Sequence, residues 1–401
     1  MANIRLDTDP GHLPGPLPVP AAAHGGGGHL AAYPAADRFD ETTLNDLEAM
    51  RLLLHGGSVI DWHQLAFADD KEVDRFLRVN EFDPANDADM ERLESLRAEA
   101  VEYLTRHFGY RIPEEVAESL PARELLLLAS RRGRHQTYAC MVLKIMHVLQ
   151  HLDGRETLFR LPVSDNQVFS QVEAKVVQIV DEMRAAGLPI VEFAWSRKER
   201  DSLITKLLAK RDSIAADVYD KLRFRLITRR LEDLPAVLRE LLCRLIPFNY
   251  IIPGQAVNRL LPFQRIIDDS PSLRRHLEHL QPESELNIGE QSPNHFSSAN
   301  YRVINFVADL PLRVGTMLQR TAGKCDSDDI DPRAVVYVLT EFQVMDAQTA
   351  IKNEEGESSH AVYKERQHIE VKARLTRGSK SKKHGNSNGN GHGNGHGSRE
   401  T

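Results

Sequence analysis

Cysteine is scarce in this sequence: Cys140, Cys243 and Cys325 are the only three in 401 residues. No two of them form a C-x-x-C pair, which excludes a disulfide framework and a structural zinc site of the usual spacing. Long apolar runs are also missing. No stretch of about 18 apolar residues exists to cross a bilayer, so no membrane partner is expected. Met1 to Asp7 show no basic region followed by an apolar stretch, the pattern of a secretory signal, and the cytoplasm is the expected compartment. Positive charge is in deficit over the body taken as a whole. The chain carries −7 in total, yet from Lys372 onward seven Lys/Arg stand against a single acid, Glu400. The body is therefore too acidic to serve as a general surface for duplex DNA, where affinity rests on neutralising phosphates. Only the basic tail offers a weak nucleic-acid contact.

What is present is an ordinary globular composition, 41% hydrophobic and 27% charged, over a length that suits two or three domains. Residues 1–40 hold a Gly25–Gly28 run and a proline ladder at Pro14, Pro16, Pro18 and Pro20. With so little apolar surface to offset its ordering entropy, this segment reads as a disordered tail. Residues 371–401 read the same way, and His384, His392 and His396 within them read as linker composition.

Residues 41–163 read as a helical domain. Leu44, Leu47 and Leu54 form one apolar face that stops at Gly56-Gly57, and Met90 to Phe108 repeat at helical spacing up to Gly109. Tyr138 to Leu152 is apolar nearly all round, which predicts a fully buried helix. Its His147, His151 and Asp153 suggest a metal site, since the histidines at i and i+4 share a helical face, but their place before Gly154 reads as the capping or surface residues of a helix end. Arg131 to His135 read as a solvated basic loop.

From Ser164 the pattern changes. Ser164 and Gln167 make a capping box for a long helix ending near Gly187. A short strand (189–194), a helix (199–210) and a half-buried strand (221–228) follow, then a helix (234–245) and a polar insert at about 255–298. Strands at 301–308 and 334–345 and one final helix at 349–367 complete an α+β region, residues 164–370, with a mixed β-sheet flanked by helices.

On a strand, residues two apart share a face, so Glu341 and Gln343 project together. Glu341 with Asp220, at the mouth of another strand, has the oxygen chemistry for a hard cation such as Mg²⁺, which is commonly held by one or two carboxylates plus substrate phosphates. Arg197, Lys198, Arg200, Lys206, Lys210, Arg211, Arg223 and Arg225 lie just upstream as candidate phosphate contacts.

Glu341-Phe342-Gln343, followed by Glu354, Gly356, His360, Tyr363 and Lys364, resembles the last motif of the RelA/SpoT-type alarmone synthetases, a strand E-x-Q leading into E-x-G-x-x-x-H-x-x-Y-K. Lys198, Ser202 and Lys206 resemble the family's K-x-x-x-S-x-x-x-K signature. Tyr219-Asp220 with Arg225 resembles its Y-D-x-x-x-x-R strand. Ile252-Pro253-Gly254 and Tyr301 look like its I-P-G turn and stacking tyrosine. The resemblance covers about residues 190–368.

It implies a nucleotide pyrophosphokinase that moves pyrophosphate from ATP to the 3′-hydroxyl of a purine nucleotide, in guanosine tetraphosphate and pentaphosphate metabolism and the stringent response. It implies Asp220 and Glu341 as Mg²⁺ ligands and Glu341, Asp220 and Gln343 as the catalytic set. Lys198, Ser202, Lys206 and Arg225 would hold ATP and Tyr301 the acceptor base. His360 and Lys364 belong to the motif without an assigned role, and a homo-oligomer is compatible with it. The chain departs from the family on the acceptor side, where N-G-Y-Q-S-L-H is replaced by Ala299 to Asn305 and the arginine after E-x-Q-x by Met345. Two other expectations stay open for that reason. One is a nucleotide-sensing module without turnover, and the other a transferase acting on an adenine nucleotide or RNA end.

Overall fold

A computed structural model of the chain describes residues 4–6, 42–55, 65–209, 221–280, 300–315, 331–355 and 360–376. Its class is α+β, as the sequence pattern predicts. The helical part comprises α1 (Leu44–His55), α2 (Asp70–Val79), α3 (Asp87–Phe108), α4 (Leu125–Ser130), α5 (Gln136–Arg160) and α6 (Asp165–Ala185). Local signals set their ends. Asn86 caps α3 by accepting from the amides of Ala88 and Asp89, and Gly109 closes it at φ 68°, a left-handed conformation that glycine adopts without a Cβ clash. Ser164 and Gln167 form the expected capping box at the start of α6.

Six strands make one mixed sheet: β1 (Ile4–Leu6), β2 (Ile190–Arg197), β3 (Leu222–Thr228), β4 (Val257–Asn258), β5 (Ile304–Arg313) and β6 (Val335–Asp346). Their spatial order is β1-β2-β3-β6-β5-β4. Pairing is parallel for β1–β2 and β3–β6 and antiparallel for β2–β3, β6–β5 and β5–β4. The remaining helices are α7 (Arg200–Ala209), α8 (Leu234–Arg244), α9 (Phe263–Asp268), α10 (Pro271–Arg274), α11 (Ala347–Asn353) and α12 (His360–Thr376).

The alternation of residues gives the sheet two unlike faces. Phe193, Phe224, Phe342 and Phe306, one on each of the four central strands, form a ladder of stacked rings with centroids 5.4–5.9 Å apart. All four are fully buried. Helix α6 packs along β2, β5 and β6, and its Arg184 lies over the Phe193 ring. This aromatic face joins the helices of the first half in one continuous apolar core. Polar ties reinforce the junction. Lys175 Nζ donates to Glu81 Oε1 (2.6 Å) and to the Pro311 carbonyl (2.9 Å), and Arg313 pairs with Asp89.

Several elements differ from the sequence reading. The single helix at 349–367 is two, α11 and α12. The first ends at Asn353, where the Glu354 N–H bonds back to the Ile351 and Lys352 carbonyls; residues 356–359 lie outside the described residues. The 301–308 strand begins only at Ile304 and runs on to Arg313, since Pro311 is tolerated where its missing N–H faces no partner. Within the polar insert, residues 257–274 fold into β4, α9 and α10, with Phe263, Ile266, Ile267 and Leu273 buried; 281–299 lie outside the described residues. Ile4 to Leu6, read as part of a tail, pair with Ala194 to Ser196. The 371–376 segment, likewise read as tail, completes α12.

Helix α5 corrects two readings. It is not buried all round, because Val148 and Leu152 are 40% and 60% exposed. Nor does it stop at Asp153-Gly154 but runs through to Arg160. Gly154 serves packing instead of termination, since a Cβ there would lie 2.5 Å from the Tyr337 ring. His147 and His151 are accordingly neither caps nor surface residues. The His147 ring lies tilted against Tyr250 and His151 bonds Asp309.

Candidate functional site

The face opposite the phenylalanine ladder is polar. Register places Arg223 beside Glu341, Arg225 beside Gln343, and Asn305 beside Gln343 on the other flank. Because β3 runs parallel to β6, the two arginines and the two acceptor residues advance in step. One row thus reads Arg-Glu and the next Arg-Gln-Asn.

Glu341 is the centre of this face and is 6% exposed. Its Oε2 accepts from Arg223 Nε at 2.7 Å. Its Oε1 accepts from Gln343 Nε2 at 3.3 Å, and from the Asn305 amide nitrogen at 2.8 Å in the amide orientation that also reaches the Phe342 carbonyl. A buried carboxylate is kept charged at low cost only when donors and a cation satisfy it in this way. Arg223 is the solvent-side partner, its side chain 31% exposed, while the amides approach along the sheet.

Arg225 points into the same face. Its Nη1 lies 3.7 Å from Glu354 Oε1 and its Nη2 donates to Met345 Sδ at 3.9 Å. Its Nε is buried and has no hydrogen-bond partner among the described residues. Tyr301 closes this end of the face. It packs against the cluster of Ile227, Val303, Met345 and Ala350, and burial raises its phenol pKa above the ordinary value against the lowering pull of Arg225 and Arg223. Asn353 fixes the approach to Tyr301 by bonding both main-chain groups of Arg302, accepting from its amide (3.0 Å) and donating to its carbonyl (2.7 Å).

The structure therefore brings Glu341, Gln343, Arg225, Tyr301 and Glu354 together. Lys198 follows the last residue of β2, and its amide donates to the Lys221 carbonyl at 2.9 Å, two residues from Arg223. Ser202 and Lys206 stand one turn apart on α7, which packs against α12. Lys364 lies on α12, and His360 is its first residue. Asp220, Lys210 and Arg211 lie outside the described residues. Arg223 and Asn305 as partners of Glu341 escaped the sequence reading. Arg223 was legible as a second arginine two positions before Arg225 on one strand; Asn305 was read only as a replaced histidine.

A second polar cluster sits where α5 meets the sheet. Tyr337 Oη donates to Tyr250 Oη at 2.8 Å, and His151 Nε2 lies 2.7 Å from Asp309 Oδ2. Asn249 Nδ2 contacts Asn80 Oδ1 and His147 Nδ1. Among the described residues no group of three or more His, Cys, Asp or Glu side chains is arranged to hold a metal ion. Nor, among them, is any helix long and apolar enough to cross a membrane.

No protein-family model matches the chain, and no curated protein matches it. Solved structures do. Small alarmone synthetase 1 from Bacillus subtilis is similar at 14% identity over 54% of this chain and 89% of that one, with a TM-score of 0.27. A GTP pyrophosphokinase family protein from Streptococcus pneumoniae is similar at 14% identity over 54% of this chain and 86% of that one, TM-score 0.28. The Bacillus subtilis synthetase bound to its product pppGpp is similar at 12% identity over 58% and 94%, TM-score 0.25.

Proposed function

We propose that the polar sheet face binds the polyphosphate of ATP and passes its pyrophosphoryl group to the 3′-hydroxyl of a purine nucleotide. The observation that carries this reading is the convergence of Arg223, Arg225, Glu341, Gln343 and Tyr301 on one face, with Arg225 Nε buried and without a hydrogen-bond partner among the described residues. A buried guanidinium donor without a partner calls for an acceptor, and a phosphate oxygen is the acceptor an arginine fork fits best.

In this reading Arg225, with Lys198, Ser202 and Lys206 from the end of β2 and α7, holds the donor phosphates. Glu341 accepts the proton of the attacking 3′-hydroxyl as the oxygen bonds to the β-phosphorus, and the bond from that phosphorus to the α–β bridging oxygen breaks to release AMP. Tyr301 sets the acceptor base against the end of the face. Glu341 and Asp220 are the residues that would hold Mg²⁺, and the oxygens of Glu341, Gln343 and Asn305 suit a hard cation in kind. Such an ion supplies neutralisation of the phosphate charge when bound.

A second reading, a nucleotide sensor without turnover, is favoured by one observation: Arg223 already occupies Glu341. Incubating the full chain with ATP, Mg²⁺ and each of GDP, GTP, ADP and tRNA separates the two. Transfer to a nucleotide that is abolished by Glu341→Gln supports the transferase. Saturable ATP binding with no AMP released supports the sensor, and absence of ATP binding removes both.

A further inference from the structure

Glu341 meets a cation of the protein's own. Arg223 Nε bonds Oε2 at 2.7 Å from the solvent side, while Gln343 and Asn305 hold Oε1 from along the sheet. The carboxylate is nearly inaccessible and Arg223 is about one-third exposed, so an ion approaching Glu341 from solvent meets the guanidinium first. A divalent cation needs the oxygen that Arg223 holds, and a neighbouring positive charge opposes it strongly in a partly desolvated place. Of the two partners Glu341 is fixed on a central strand, while the arginine stem is long and flexible.

We infer that Arg223 is a built-in cation surrogate at Glu341, and that a divalent metal ion takes this carboxylate only when the guanidinium is drawn away. A polyphosphate on the same face is the natural agent. It offers Arg223 a bidentate acceptor at least as good as the carboxylate it leaves. Metal affinity at this face is then low in the free protein and rises when polyphosphate is present, so the ion and the donor nucleotide arrive together. This ordering rests on the proposed function, but the competition between Arg223 and metal does not.

Mn²⁺ alone, followed by electron paramagnetic resonance of the free ion, tests the competition on the full chain. Arg223→Gln should tighten Mn²⁺ binding at least tenfold over the parent, and adding Glu341→Gln should abolish that gain. Arg302→Gln removes the same charge from an exposed neighbour that does not bond Glu341, and should change Mn²⁺ binding less than threefold. If Arg223→Gln fails to fold, Arg223→Met is titrated in its place, since methionine keeps an unbranched stem but carries neither the charge nor the Nε donor. Equal Mn²⁺ binding in the parent and the Arg223 variant overturns the inference, as does an equal gain in Arg302→Gln. ATP titration of the same proteins with Mg²⁺ present reads the proposed function separately. A tenfold gain in Mn²⁺ affinity with no ATP binding leaves the inference standing and removes the nucleotide reading.

Discussion

His151 Nε2 and Asp309 Oδ2 stand 2.7 Å apart and join α5 to β5, beside the Tyr250–Tyr337 hydroxyl pair and the ring of His147. Burial, with the nearby His151, lowers the His147 pKa from 6.5 to about 4, so the folded protein keeps this imidazole neutral. Between those two values the unfolded chain binds a proton that the folded chain refuses. Stability from this group is therefore complete above pH 6.5 and is lost as pH falls towards 4, by on the order of 3 kcal/mol. Denaturant titrations across that window should show the slope in the parent. His147→Gln should lower stability at pH 7.5 and flatten the slope; an unchanged slope would place its origin elsewhere.

Gly154 reverses the usual rule for glycine in a helix. Replacement by alanine in a helix interior ordinarily stabilises by up to about 1 kcal/mol. Here the new Cβ would lie 2.5 Å from two Tyr337 ring carbons and 2.6 Å from the Val335 carbonyl oxygen. Backbone cannot give way cheaply, so Gly154→Ala should destabilise by roughly 1–3 kcal/mol. Its thermal midpoint should drop, and the loss should shrink when Tyr337 is cut to alanine in the same chain.

The fold was legible where periodicity is strict, as in α3 between Asn86 and Gly109 and in α6 from its capping box. It was less legible where a distant partner decides. Nothing near Gly154 in the sequence announces Tyr337, which lies 183 positions away by their numbers, so a glycine chosen for packing read as a helix stop. Exposure along α5 was hidden too, because apolar composition alone cannot distinguish an all-round buried helix from one with an uncovered stripe at Val148 and Leu152. At the site, the shared face of Glu341 and Gln343 followed from strand alternation. The Arg223 and Asn305 bonds did not, since they depend on which strands flank β6.

Asn353, the last residue of α11, ties that helix to the segment that carries Tyr301. It is 3% exposed, and its amide satisfies both the N–H and the carbonyl of Arg302. Asn353→Ala would leave those two main-chain groups without the partner they have here, at a cost of about 1–3 kcal/mol. The same change should release Tyr301 from its place over Val303 and Met345. If the transferase reading holds, the acceptor KM should rise several-fold with little change in the ATP KM. An equal rise in both would mean that Asn353 supports the whole face and not the acceptor end.

In the proposed reading the Tyr301 end of the face also bears on which base is chosen. Stacking on Tyr301 would hold any purine, because every base presents a π-face. Discrimination requires polar groups at the base edge whose pairing a wrong base leaves unmet. Val303 and Ile304 are apolar and buried, and the Asn305 amide is engaged by Glu341 and the Phe342 carbonyl. None of the three residues after Arg302 is therefore placed to read a guanine edge. Calorimetric titrations should give GDP and ADP dissociation constants within about tenfold of each other, one pairing's worth of discrimination or less. Tight GDP binding with no detectable ADP binding would overturn this, and would assign guanine recognition to a part of the chain other than the Tyr301–Asn305 segment.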